Sequence, residues 1–95
     1  MHRITTTIKR EWLREIVAGR KRIEYRELKP YWTERLCSVS APFELRLING
    51  MSGNAPEVTV LVRKVRKDSR ARHYELHLGK ILSVKHWNRR TGMPS

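Results

Sequence analysis

A single cysteine, Cys37, among 95 residues excludes an internal disulfide and a cysteine-based metal cluster, and it agrees with a reducing compartment. The ordinary place for such a residue is the core. A nucleophilic role would need a base beside it, and the neighbouring Arg35 and Ser38 supply none. No apolar run is long enough to span a bilayer, and Met1-His2-Arg3-Ile4-Thr5 lacks the apolar stretch of a secretory signal, so a soluble cytoplasmic protein is expected. Also missing are a phosphate-binding glycine loop, a nucleophile elbow and paired carboxylates at a catalytic spacing; no cofactor is expected. Acidic residues are scarce as well, 9 Asp and Glu against 21 Lys and Arg, for a formal net charge of +12. Such a field attracts polyanions, and nucleic acid is the commonest of them. A membrane surface is the weaker candidate, because no segment joins a basic face to a broad exposed apolar one.

What is there fits one domain, residues 1–95, with one modest core. Ile4, Thr6 and Ile8 alternate with Thr5 and Thr7 as a first strand. A helix follows from about Arg10, with Trp12, Leu13, Ile16 and Val17 spaced as one buried face and Gly19 placed for a left-handed C-terminal cap. A second strand spans Arg22 to Leu28, and Pro30 opens a short helix that turns Tyr31, Trp32 and Leu36 inward. Phe43, Leu45 and Leu47 mark a third strand, and the glycine- and asparagine-rich stretch Asn49 to Pro56 a flexible connection. Val58, Val60 and Val62 open a fourth strand that turns basic at its end. His73 to Leu78 makes a fifth, Gly79 a bend or bulge, Ile81 to Val84 a continuation, and 88–95 a frayed tail. Many short strands with one helix inserted early favour an α+β, mainly β, small barrel of five to six strands and two helices, since closure removes exposed edges. Ile8, Ile23, Leu45, Leu47, Val60, Val62, Leu76 and Leu78 are expected to fill it.

The most informative stretch is Ala18 to Glu27, which holds a helix stop, a strand start and a row of charge. With period two, Ile23 and Tyr25 face one way and Arg22, Glu24 and Arg26 the other. The pattern Gly19-x-Lys21-x-x-Glu24-x-Arg26, reached through the Trp12-Leu13 helix, resembles the signature of the ASCH domain, a relative of the PUA fold. Ile4 to Lys9 and His77-Leu78-Gly79-Lys80-Ile81 extend the resemblance over most of the chain. It implies a PUA-like barrel with the signature strand lining a cleft, and Lys21 at the position of the lysine that lines the ligand pocket. Some small bacterial members hydrolyse N4-acetylcytidine with that lysine, a threonine at the Glu24 position and a glutamate in a longer segment before the last strands. This chain keeps only the lysine, and Asp68 to Arg72 is too short for the distal glutamate. Ribonuclease activity is also linked to the family.

Glu24 can accept hydrogen bonds from a base edge, or act as a base; Arg26 can hold Glu24 or grip a phosphate, and an internal Glu24–Arg26 ion pair is an equal alternative. Tyr25 is expected in the core. Arg63, Lys64, Arg66 and Lys67, with Arg70 and Arg72, form a dense basic run that Lys80, Lys85, Arg89 and Arg90 extend, which suggests a phosphate-tracking surface. Trp87 either stacks on a base or closes the barrel end. His73, Glu75 and His77 share a strand face, but further ligands are absent, so no metal is expected. The expected function is nucleic-acid binding, RNA before DNA, with Lys21, Glu24 and Arg26 reading a nucleotide. The alternative is a nucleoside amidohydrolase or ribonuclease that uses Lys21 and Glu24 catalytically.

Overall fold

Alternation of β-branched residues makes β1 (Arg3–Thr7), which buries Ile4 and leaves Arg3, Thr5 and Thr7 exposed. The chain then enters α1 (Arg10–Val17), whose buried stripe is Leu13 and Ile16. Gly19 stops it at φ +81°, where the left-handed turn brings the Gly19 N–H to the Ile16 carbonyl and the Arg20 N–H to the Glu15 carbonyl, each at 3.0 Å. The Glu15 carbonyl also takes the Lys21 N–H at 3.0 Å, so the cap itself aims the chain into β2 (Ile23–Glu27). A second helix, α2 (Pro30–Cys37), starts on Pro30, where a missing N–H costs nothing, and buries Trp32. Then come β3 (Phe43–Ile48), β4 (Glu57–Asp68), β5 (His73–Lys85), β6 (Trp87–Asn88) and β7 (Met93–Pro94). This computed structural model describes all residues, 1–95.

The fold is α+β and mainly β, with two helices and a curled half-barrel sheet of five strands in the order β1-β3-β4-β5-β2. β1 runs parallel to β3 and the other pairs are antiparallel. The first half of β4 lies between β3 and β5; beyond Val62 its β3 partner is gone, and β5 has taken β2 on its far side at residues 73–77. No ladder joins β1 to β2, so the two edges of the half-barrel leave a seam. One side chain crosses it: Arg26 Nη2 donates to the Thr7 carbonyl at 2.9 Å.

The core holds Ile8, Leu45, Leu47, Val60, Val62, Leu76 and Leu78 as expected, but not Ile23, because β2 presents its other face inward. Glu24 pairs with Leu76 and Arg26 with Tyr74, both core residues, which puts Ile23 and Tyr25 opposite His77 and Glu75 on the outside. Trp12 and Tyr31 stay 46% and 56% exposed rather than packing inward, and Cys37 is exposed. Gly79 lies at a bulge within β5, which continues through Ile81 to Lys85 as expected. The tail expected to fray instead turns back as the β6–β7 ribbon, held to α1 by Arg14 Nε donating to the Gly92 carbonyl at 3.1 Å.

Candidate functional site

The seam opens into a cleft of about 910 Å³ between β1, α1, β2 and α2. Its floor is built by the inward face of β2. Glu24, 7% exposed at its side chain, accepts Arg26 Nε at 2.9 Å and Arg26 Nη2 at 2.5 Å on Oε2, and stands 3.3 Å from Lys21 Nζ through Oε1. Lys21 Nζ also donates to the Ile23 carbonyl at 2.8 Å. A lone carboxylate at this depth would be costly, and the two flanking cations make its burial tolerable. The Glu24–Arg26 pairing left open by the sequence is thus present, and it includes Lys21.

Aromatic rings complete the site. Lys21 Nζ lies 5.3 Å from the centroid of Trp12 and 5.3 Å from that of Tyr25, so the ammonium sits between two rings. Arg26 stacks over Trp32 at 5.2 Å, and Tyr31 meets Trp32 edge-on with centroids 5.6 Å apart. Asn49 closes the β1 side by donating Nδ2 to the Ile8 carbonyl at 2.9 Å. The chemistry follows from what each group has left. Both Glu24 oxygens face cations, so Glu24 orients Lys21 and Arg26. An ammonium has three N–H groups, and Lys21 donates one to the Ile23 carbonyl while its charge faces Glu24; a guanidinium has five, and Arg26 Nη1 has no protein partner. Anionic or carbonyl oxygens beside a planar ring are what such leftovers bind.

The residues of the basic run differ in how they are paired. Arg66 is paired with acids: its Nε and Nη2 donate to Glu75 at 3.0 and 2.8 Å on the outer face, with Asp68 at 3.4 Å, so two carboxylates offset its charge. The hydrogen bond from Arg66, assisted by His77, holds the Glu75 carboxyl down at about 2, and its pairing with Glu75 pushes the Arg66 guanidinium up. Lys64, Lys67, Arg70 and Arg72 make no ion pair, with Arg70 and Arg72 in the β4–β5 turn that Asp68 Oδ1 caps by accepting the Ala71 N–H at 2.9 Å. Arg63 and Lys80 lie apart from these, beside the sheet bulge.

The outer cluster offers ligand atoms of Asp68, His73 and Glu75 within 4.8 Å of one another, and His73 Nε2 is buried without a hydrogen bond. Both Glu75 oxygens already face Arg66, so a cation there would have to displace the guanidinium. Trp87 is 7% exposed and packs in the core, which removes it as a stacking platform. Trp12, Tyr31, Trp32, Asn49 and Arg22 were not singled out by sequence as site residues. For Trp12 the signal was present: a tryptophan at the margin of a helical stripe, beside Lys9, covers an opening more readily than it fills a core. Comparison with protein-family models, with curated proteins and with solved structures returned no match.

Proposed function

We propose that this chain is a nucleic-acid-binding module that prefers RNA, with the seam cleft taking a nucleotide. The observation that carries this reading is the meeting, in one cleft, of the exposed rings of Trp12, Tyr25 and Tyr31 with two cations that keep unused donors, Arg26 being backed by the buried Trp32. A base stacks on an aromatic side chain for about 1–3 kcal/mol, whatever its identity, and the spare N–H groups of Lys21 and Arg26 take its carbonyl or phosphate oxygens. The net charge of +12 supplies the long-range, salt-sensitive part of the affinity. The Gly19-x-Lys21-x-x-Glu24-x-Arg26 pattern, with its resemblance to ASCH domains and their PUA-like fold, supports the choice of RNA by analogy of fold. Glu24 is a positioning residue in this scheme.

Fluorescence anisotropy with single-stranded RNA, duplex RNA and duplex DNA at several salt concentrations tests the reading. Single-stranded RNA should bind tightest. Trp12→Ala should weaken it about tenfold or more without unfolding the protein, since the ring is half exposed. Equal affinity for all three polymers, unchanged by Trp12→Ala, would reduce the protein to a nonspecific polycation. Release of acetate from N4-acetylcytidine that vanishes in Lys21→Ala would instead install the hydrolase reading.

A further inference from the structure

Lys21 lines a second concavity besides the aromatic cleft, a groove of about 360 Å³ on its other side, where the sheet bulges. The register explains the opening. Val60 pairs with Ile81, Val62 with Leu78 and Lys64 with His77, so β5 carries an extra residue in the first interval and β4 one in the second. Two offset bulges leave Arg63 out of the ladder on one strand and residues 79–80 on the other, and bulges re-aim side chains in this way. The groove lies over apolar residues, the buried Ile16, Val60 and Leu78 and the partly buried Ile81.

The rim is cationic and uncommitted. Arg22, Arg63 and Lys80 make no ion pair, whereas Arg20, Arg46 and Arg66 each hold a carboxylate. The Arg63 stem also lies against Gly79. A Cβ on residue 79 would stand 2.8 Å from Arg63 Cγ and 2.9 Å from Cδ, so glycine there is the condition for the arginine stem to lie across the backbone. Cations gathered around one groove without an acid among them raise the local anion concentration there.

We propose that this groove holds the sugar–phosphate of a neighbouring nucleotide, so that the protein takes a nucleotide within a single strand rather than a free nucleoside or mononucleotide. The proposal rests on the nucleic-acid reading of the cleft and extends it: Lys21 is the divide between base and adjacent phosphate, the apolar floor receives the ribose, and Arg63 and Lys80 neutralise the phosphate. An acidic peptide would meet the same cations but gains nothing from the stacking cleft next door.

The test uses uridine monophosphate and a hexameric oligouridylate as probes, titrated into the intact chain and into three variants: Trp12→Ala, Arg63→Ala with Lys80→Ala, and Gly79→Ala. The intact chain should bind the hexamer at least tenfold tighter than the monomer. Removing Arg63 and Lys80 should erase most of that gain, leave monomer affinity unchanged, and lower the slope of log affinity against log salt by about 0.7 for each phosphate no longer neutralised. Gly79→Ala should copy this by displacing Arg63, with melting temperature confirming the fold. Trp12→Ala should weaken both probes alike. Equal affinity for hexamer and monomer, a groove variant that weakens both equally, or a polyglutamate peptide that displaces the hexamer from the groove overturns the groove proposal while leaving the cleft reading intact. No binding of either probe overturns both.

Discussion

Two acid-centred clusters lie on opposite faces of the same sheet. Inside, Glu24 is held by Lys21 and Arg26, whose side chains are only 16% and 18% exposed; outside, Glu75 is held by Arg66, which is 56% exposed. In the outer cluster one carboxylate consumes one guanidinium, Asp68 adds a second acid, and no cation is left over for a partner. In the inner cluster one carboxylate is shared by two cations, so a positive charge and several N–H groups remain, in a cleft walled by aromatic rings. The same residue types balance one another in one place and keep charge and donors free in the other, and burial with stoichiometry makes the difference.

The largest effect should come from breaking the inner cluster. Glu24→Ala leaves two cations unpaired within the core face of β2 and should cost about 3–5 kcal/mol in urea unfolding, whereas Glu75→Ala leaves one exposed arginine free to reach water and should shift the midpoint only slightly. Equal midpoint shifts would erase the distinction drawn between the faces. A double-mutant cycle with Arg26→Ala should give a coupling energy above about 0.5 kcal/mol, as expected for residues in one network.

A smaller effect should follow from Gly19→Ala, which puts a Cβ at φ +81° and should destabilise by about 1–2 kcal/mol. Because the cap aims Lys21, single-stranded RNA affinity should fall beyond what the stability loss explains. Unchanged RNA affinity in a folded variant would show that the cap serves the helix alone.

The smallest effect belongs to acid. The Glu75 carboxyl is held at about 2, below its ordinary 4.5, chiefly by the hydrogen bond from Arg66. A carboxylate depressed in the folded state contributes stability above its unfolded pKa and loses it as pH falls through the folded one, here between about 4.5 and 2. Glu57, lowered chiefly by the hydrogen bond from Arg46, acts in the same direction. Chemical unfolding between pH 5 and 2 (about the range spanned by the two carboxyl states) should therefore show a shallower decline for Glu75→Gln than for the unaltered chain. Identical slopes would mean that Arg66 does not hold Glu75 in solution.

Much of this architecture was legible in the residues. Gly19 announced the end of α1 and Pro30 the start of α2, because both act through the local backbone. Phe43, Leu45 and Leu47 disclosed β3, since the apolar parity there is the buried one. The same rule misplaced β2: alternation separates Ile23 and Tyr25 from Glu24 and Arg26 but is silent on which set turns inward. The dense run from Arg63 to Arg72 read as one surface because linear spacing hides the bulge that diverts Arg63 and the pairing that consumes Arg66. The ribbon formed by residues 87–94 escaped notice because its anchor, Arg14, lies far off in sequence.

By itself, the sequence determined the end of α1 at Gly19, the start of α2 at Pro30, the excess of positive charge, and the presence of Lys21, Glu24 and Arg26 within one short span. These follow from backbone preferences and composition, which are local. Tertiary structure alone decided that Glu24 and Arg26 face the core, that Arg26 bridges the seam between β1 and β2, and that Trp12 and Tyr25 bracket Lys21. Those outcomes depend on the register Glu24–Leu76, a pairing between distant residues in which two cations neutralise one acid, and no reading confined to neighbours along the chain contains it.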